Sequence, residues 1–453
     1  MVVQIVVMLI LASATVFRCN AEEIGIVNLK SELPNLRSPI VLFVDDCCPG
    51  INAFYYERRY GENLPEDRLF KDWELSEAGV PKNTKMVQRI PLSFLKEYAE
   101  WASQNNVRGK FSVIPFPGGR GNITEGWEDC TKQETEEWIK IVKEKIAPIC
   151  DITPELLTHS QALDIKSKKL LPIPEWDYTA KLNLDELTEY ISLGLKTLKE
   201  VGLPATGVTH PRRYKGNQDM LVKAIMEAMK KVTGEKLVFY WVGFDTDSLP
   251  IRPRIAYLDK EKGEAVVGMP VACQEPMWKC TTGGGDVSKM ADYYLDSDGK
   301  NGKFNNWINT GSYLIFYVHW QSLYGNETKK GFLAVQEILK RVQARLGDRV
   351  KWMKASECAR YFVASQTFEV KSSQEKQRIV LAFNCPFACP DFTVSGEMAS
   401  DRKIKVTCDG KAMQEVSARK GLKENSWFRE GKKIFFSFPL HETKQTKIEI
   451  VFQ

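Results

Sequence analysis

The chain has 453 residues, with 63 Lys or Arg against 58 Asp or Glu, a formal net charge of +5 and 43% hydrophobic residues. It is too apolar and too weakly charged for a disordered chain, and so small a positive excess is no nucleic-acid footprint. A chain this long should hold two or three domains, or one large barrel with an accessory domain, and its core needs no disulfides; yet it carries 11 Cys and only four His.

The one long apolar run, Val2 to Phe17, is short for a membrane span and is followed by Arg18-Cys19-Asn20-Ala21. Small residues at Cys19 and Ala21 suit signal-peptidase cleavage after residue 21. The expectation is a secreted or periplasmic protein with no membrane span after cleavage; a buried N-terminal strand is the alternative. Cleavage leaves ten Cys, an even number that reads as disulfides in an exported chain. Asn122-Ile-Thr124 and Asn326-Glu-Thr328 are glycosylation sequons. Cys385 and Cys389 have a metal-like separation, but no second Cys or His pair flanks them.

Between residues 22 and 365, short apolar runs alternate with amphipathic stretches. The runs are Ile40–Val44, Lys110–Pro115, Leu156–Ala162, Ala205–Thr209, Leu237–Phe244, Ala265–Cys273, Tyr313–Val318 and Val350–Met353. Most are rich in β-branched or aromatic residues, as buried parallel strands are. Helical spacing falls between them. Leu92, Leu95, Ala99 and Ala102 share one face, and Leu187, Ile191, Leu195 and Leu198 another. The second helix opens on Asn183-x-x-Glu186, a capping-box pattern, and stops at Gly202-Leu-Pro204. Further helices fit Glu134–Ile146, Gln218–Val232, Val287–Leu295 and Gly331–Leu346. The pattern predicts an α/β protein, a distorted (β/α) barrel with long insertions. Residues 366–453 carry short strand patterns and a Cys408-Asp409-Gly410 turn, and predict a C-terminal all-β, sandwich-like domain.

Functional groups of such barrels gather at the C-terminal ends of the strands. There stand Asp45-Asp46-Cys47-Cys48, His159-Ser160 through Asp164, His210-Pro211-Arg212-Arg213-Tyr214, Asp245-Thr246-Asp247 and His319-Trp320. Three of the four His share this rim with two acidic pairs. Each piece alone has an ordinary structural explanation: a turn-forming Asp, a core His, a solvated Arg pair. Together, carboxylates and imidazoles can supply metal ligands and a spare base. Cys47-Cys48 reads as a strained disulfide, two separate bridges or free thiols near a metal. Trp127, Trp176, Trp278 and Trp320 lie in loops near the rim, where flat rings stack on sugars.

Val44-Asp45-Asp46, His159-Ser160 and His319 after Leu314–Val318 resemble the polysaccharide deacetylase family, of which this chain would be a divergent member. The resemblance spans roughly residues 38–360. It implies a distorted (β/α) barrel that removes acetyl groups from a glycan with a divalent metal, zinc by analogy. It implies Asp46 and His159 as metal ligands, Asp45 as the base that activates water and His319 as the acid for the leaving group. The family's second histidine ligand falls on Leu163, which cannot coordinate, so Asp164 or His210 would have to replace it. The family's Arg-x-Pro-Tyr element is replaced by His210-Pro-Arg-Arg-Tyr. Trp320, Tyr214, Arg212 and Asp247 are the expected substrate contacts. Two other readings stand beside this one: a carbohydrate-binding protein that has lost catalysis, and a glycosidase using Asp45 with Asp245 or Asp247 as paired carboxylates.

Overall fold

The computed structural model describes residues 25–53, 87–127, 130–210, 214–241, 249–270, 274–375 and 377–453. The expected signal segment, Arg212, Asp245 and Asp247 lie outside these residues. The chain divides into two compact units, one of them Leu36–Thr367 with Pro386–Cys389 and the other made of the remaining described residues.

The first strand, β1 (Ile26–Ser31), belongs to the all-β unit, where it pairs with Cys389–Met398. The barrel segment expected from residue 22 therefore begins later. Eleven strands fall within the α/β unit: β2 (Ser38–Cys47), β3 (Gly109–Val113), β4 (Cys150–Pro154), β5 (Gln161–Leu163), β6 (Leu170–Pro174), β7 (Gly207–Thr209), β8 (Leu237–Trp241), β9 (Arg254–Asp259), β10 (Glu264–Gly268), β11 (Leu314–His319) and β12 (Val350–Trp352). The helices are α1 (Leu92–Gln104), α2 (Lys132–Ile141), α3 (Glu175–Thr179), α4 (Leu184–Glu200), α5 (Gln218–Thr233), α6 (Val287–Tyr294), α7 (Lys303–Asn309), α8 (Trp320–Tyr324), α9 (Lys330–Arg345) and α10 (Ala355–Thr367).

Every residue of β2 is buried, as a central parallel strand requires. It pairs in parallel with β11 on one side and β3 on the other, and β3 pairs with β4. Gly109 makes the β2–β3 approach possible: a Cβ there would meet Leu42 O at 1.8 Å. A second parallel set runs β7-β8-β10, with β9 antiparallel on its edge. A parallel bridge from Glu155 to Thr209 links the two sets. The strands thus follow one another as β11-β2-β3-β4-β7-β8-β10. The order is left open: among the described residues no ladder joins β10 to β11. The eighth expected strand, β12, pairs with the first residues of β2, Ser38 to Ile40, so it does not extend that order.

Most helices fall where the periodicity places them. α4 carries the expected capping box between Asn183 and Glu186. α2 starts earlier than expected, on a second capping box between Thr131 and Glu134, and the helical expectation up to Ile146 divides into α2 and a π-helical turn, Val142–Ile146. The third strand is displaced: it is Cys150–Pro154, and Leu156–Ala162 forms the loop beyond it and the start of β5. That displacement decides the composition of the site.

The all-β unit holds two five-stranded sheets. One has the order β1, β15 (Cys389–Met398), β20 (Lys433–Leu440), β19 (Ser426–Glu430), β18 (Gln414–Glu415). The other has the order β13 (Glu369–Glu375), β14 (Arg378–Asn384), β21 (Thr446–Phe452), β16 (Ile404–Cys408), β17 (Lys411–Ala412). Ile379, Leu381 and Phe383 alternate inward along β14, and Phe383 meets Phe438 of the other sheet with ring centroids 4.8 Å apart. This is a two-sheet core built on period-2 patterning. The Asp409-Gly410 turn joins β16 to β17 with positive φ at both residues (48° and 78°), the hairpin that its sequence predicts.

No disulfide joins any two of the described cysteines. Cys47 Sγ points to the carbonyls of Val44 and Asp45, and Cys48 Sγ donates to Ile51 O at 3.3 Å. Burial first, then the neighbouring carboxylates, push both thiols well above their ordinary range. The vicinal pair is therefore neither a bridge nor a source of thiolate ligands. The even cysteine count misled because these side chains serve as small apolar packing groups.

Candidate active site

The β2 strand ends in a bulge. Its pairing with β3 shifts between Val44 and Cys47, and Asp46 takes a positive φ of 59°. A bulge re-aims side chains, and here it separates two adjacent carboxylates into different roles. Asp45 turns into the sheet and is fully buried. One of its oxygens accepts a short hydrogen bond from the Lys110 ammonium and lies 3.2 Å from Ser112 Oγ. Lys110 is itself fully buried; it donates to Thr209 Oγ1 at 2.8 Å and lies 4.6 Å from the Trp241 ring centroid. Burial pushes the Asp45 carboxyl above its ordinary value, and the Lys110 cation pulls it back. Asp45 Oδ2 has no hydrogen-bond partner.

Asp46 faces a second group. Its backbone N–H donates to Glu155 Oε2 at 2.8 Å, and Ser112 Oγ donates to the same oxygen at 2.6 Å. Glu155 is the first residue after β4. With this oxygen occupied, Glu155 Oε1 lies 3.5 Å from His159 Nδ1. The other ring nitrogen, Nε2, lies 3.0 Å from Asp46 Oδ1. Asp46 Oδ2 accepts from Gln321 Nε2 at 2.6 Å. Each carboxylate therefore has one oxygen occupied and one turned toward His159.

His159 sits on a strained loop. Leu156 and His159 both have left-handed φ, 46° and 54°, which costs a non-glycine residue about 1–2 kcal/mol. Glu175, at the start of α3, holds that loop. Its carboxylate accepts from the N–H groups of Leu157, Thr158 and His159 at 2.9, 3.0 and 2.9 Å, and from Tyr190 Oη at 2.8 Å.

The β11–β2 register places His319 directly beside Asp45. Glu275 accepts the His319 backbone N–H at 3.0 Å and a short bond from Nδ1–H. His319 Nε2 is then left 3.9 Å from Asp46 Oδ2. Burial opposes charge on this ring, but Glu275, and after it Asp46, outweigh burial and raise the His319 pKa to about 10. The ring is an imidazolium at neutral pH. Trp278 packs edge-on against it with centroids 4.8 Å apart and is partly exposed.

Among the described residues, one group of His, Cys, Asp and Glu could hold a metal ion: Asp46, Glu155 and His159, whose ligand atoms lie within 4.8 Å of one another. The set fits a divalent cation. It has two carboxylates and one imidazole, and Asp46 Oδ1 is buried with no hydrogen-bond partner. The third member of the group is Glu155, where the sequence pointed to Asp164 or His210. The Asp164 carboxylate closes its own turn with the N–H groups of Lys166 and Ser167. His210 is buried elsewhere, with Nε2 3.3 Å from Thr179 Oγ1 and its ring on Tyr214, 4.5 Å away. Leu163 is buried in β5, its N–H donating to Tyr190 Oη at 3.2 Å. Two expected substrate contacts also fail. Trp320 is buried among Phe94, Tyr98 and Phe111, and Tyr214 is buried against His210. Trp278 and Tyr317 are aromatic neighbours of His319. Glu155 escaped sequence reading because the third strand was placed beyond it; Lys110, Glu175, Glu275 and Gln321 carry no local motif.

No family model matches the sequence, and no curated protein matches it. Solved structures with some likeness include a three-domain cyclomaltodextrin glucanotransferase (8% identity, 92% of this chain and 99% of that chain, TM-score 0.31). Others are an α-fucosidase of Thermotoga maritima in complex with fucose (10% identity, 93% and 97%, TM-score 0.30) and a family 30 subfamily 8 xylanase of Clostridium acetobutylicum (9% identity, 94% and 99%, TM-score 0.23). Likeness at these TM-scores carries no argument about the chemistry of this chain.

Proposed function

We propose that the chain is a carbohydrate-active hydrolase that removes a small acyl group from a glycan. The observation that carries the reading is the group of Asp46, Glu155 and His159, whose ligand atoms lie within 4.8 Å of one another, with His319 Nε2 3.9 Å from Asp46 Oδ2. A divalent cation bound there would polarise an acyl carbonyl and lower the pKa of water. Asp46, Glu155 and His159 would hold that cation. Asp45 Oδ2 takes the proton of the attacking water, its other oxygen being fixed by Lys110. Attack forms a carbon–oxygen bond to the acyl carbon and breaks the bond to the sugar nitrogen or oxygen. His319 Nε2 gives its proton to that leaving atom, with Glu275 holding the other ring nitrogen, Nδ1. Trp278 forms a wall for a sugar ring beside the acid.

A second reading uses the same residues. Asp46 and Glu155 stand on either side of His159, and such a carboxylate pair could serve a glycosidase as nucleophile and acid. Metal analysis of purified protein and a panel of acetylated and unacetylated glycans separate the two. Stoichiometric metal with chelator-sensitive acetate release supports the deacylase. Chelator-insensitive release of reducing ends supports the glycosidase. Glycan binding with neither product removes both.

A further inference from the structure

Three consecutive backbone N–H groups, those of Leu157, Thr158 and His159, converge on a single carboxylate. Successive N–H groups around left-handed residues form a concavity that binds anions, and the left-handed φ values of Leu156 and His159 flank this one. Glu175, sixteen residues beyond His159, fills it from inside the fold. Its side chain is fully buried, and all four groups facing it are donors, so both oxygens act as acceptors.

We infer that Glu175 is the positioning residue of the site, a built-in anion that seats the His159 loop so that the imidazole meets Asp46 and Glu155. The inference rests on the reading of His159 as a ligand in the preceding section. Glu175 touches neither substrate nor the ligand atoms; it acts through the backbone of His159. Burying a carboxylate is unfavourable unless it is fully hydrogen-bonded, and this one is satisfied by loop N–H groups that otherwise have no partner in a ladder. The loop cannot keep its left-handed turns without the anion, and the anion cannot stay buried without the loop. Tyr190 ties the pair to α4, giving the loop a rigid support.

Glu175→Gln tests this. The amide presents an NH₂ group toward N–H donors, so one side of the nest becomes repulsive. Titrated with Co²⁺ alone, the variant should bind at least tenfold more weakly than the wild type and show a changed visible absorption spectrum. Hydrogen exchange should show lost protection at residues 157–159, with β2 and β3 unchanged. Glu175→Asp keeps the charge but shortens the reach, so an intermediate loss is expected, and it serves if the Gln variant does not fold. Wild-type Co²⁺ affinity and spectrum in both variants would overturn the inference. If the wild-type protein binds no Co²⁺, the cation reading fails separately. The exchange measurement then decides: loss confined to 157–159 supports Glu175 as the positioning residue, and unchanged protection there rejects it.

Discussion

Gln321 donates to Asp46 Oδ2 at 2.6 Å, and that bond selects which oxygen of Asp46 is presented to His159. Gln321 is buried and lies two residues past His319, at the start of α8. Gln321→Leu should free Asp46 to rotate. Loss of a partner that orients a ligand typically weakens metal affinity 10–100-fold. Isothermal titration with Zn²⁺ or Co²⁺ checks this, and unchanged affinity would show that Asp46 is oriented by something else.

Glu155→Gln should abolish cation binding, whereas Asp164→Asn should leave it intact. Asp164 is occupied by its own Lys166–Ser167 turn, and Glu155 is the donor in the cluster. Metal content after dialysis of the two purified variants is the measurement. Retained metal in the Glu155 variant would refute the assignment.

Lys110→Met should be strongly destabilising. It strands Asp45 as an unpaired carboxylate with no exposure to water, a change that costs about 3–5 kcal/mol. The double variant Lys110→Met with Asp45→Asn removes both charges and should recover a large part of that loss. Urea midpoints of the wild type, the two single variants and the double variant test the coupling, and additive losses would mean that the pair is not coupled.

The metal-free protein should depend on pH through His319. The folded value of about 10 stands above the ordinary 6.5, so the ring takes up a proton on folding. Its contribution to stability is complete below pH 6.5 and is lost as the pH rises through 10. Glu275→Gln removes the principal partner and should flatten the stability profile between those limits. The same variant should move the alkaline limb of activity to lower pH, because the imidazolium loses its principal partner. Thermal midpoints and rates across pH 6–11 measure both, and identical profiles for variant and wild type would remove His319 as the acid.

Much of the fold is legible locally. The buried run Ile40–Val44, the Asn183–Glu186 capping box and the Asp409-Gly410 turn each specify their element within a few residues, because hydrogen bonds and periodicity there are short-range. The third strand was misplaced onto Leu156–Ala162, whose apolar part is the buried Leu156-Leu157 pair. Yet its residues are buried as a loop seated on Glu175, while Cys150–Pro154 looks less regular and takes the ladder with β3. One shift of six residues hid Glu155.

By itself, the sequence determined the alternation of strands and helices, the all-β character of the C-terminal stretch, and the placing of Asp45, Asp46 and His319 at strand ends. Those features follow from local pattern. Only the tertiary structure decided which of them meet. It joined Glu155 to Asp46 and His159, set Glu275 behind His319, buried Lys110 against Asp45, and sent His210, Asp164, Trp320 and Tyr214 elsewhere. The eleven cysteines, which in the sequence point to bridges, include nine described residues with no disulfide between them. The physical reason is the same throughout. A side chain's chemistry is set by the field and the donors around it, and in this chain those come from residues tens to hundreds of positions away.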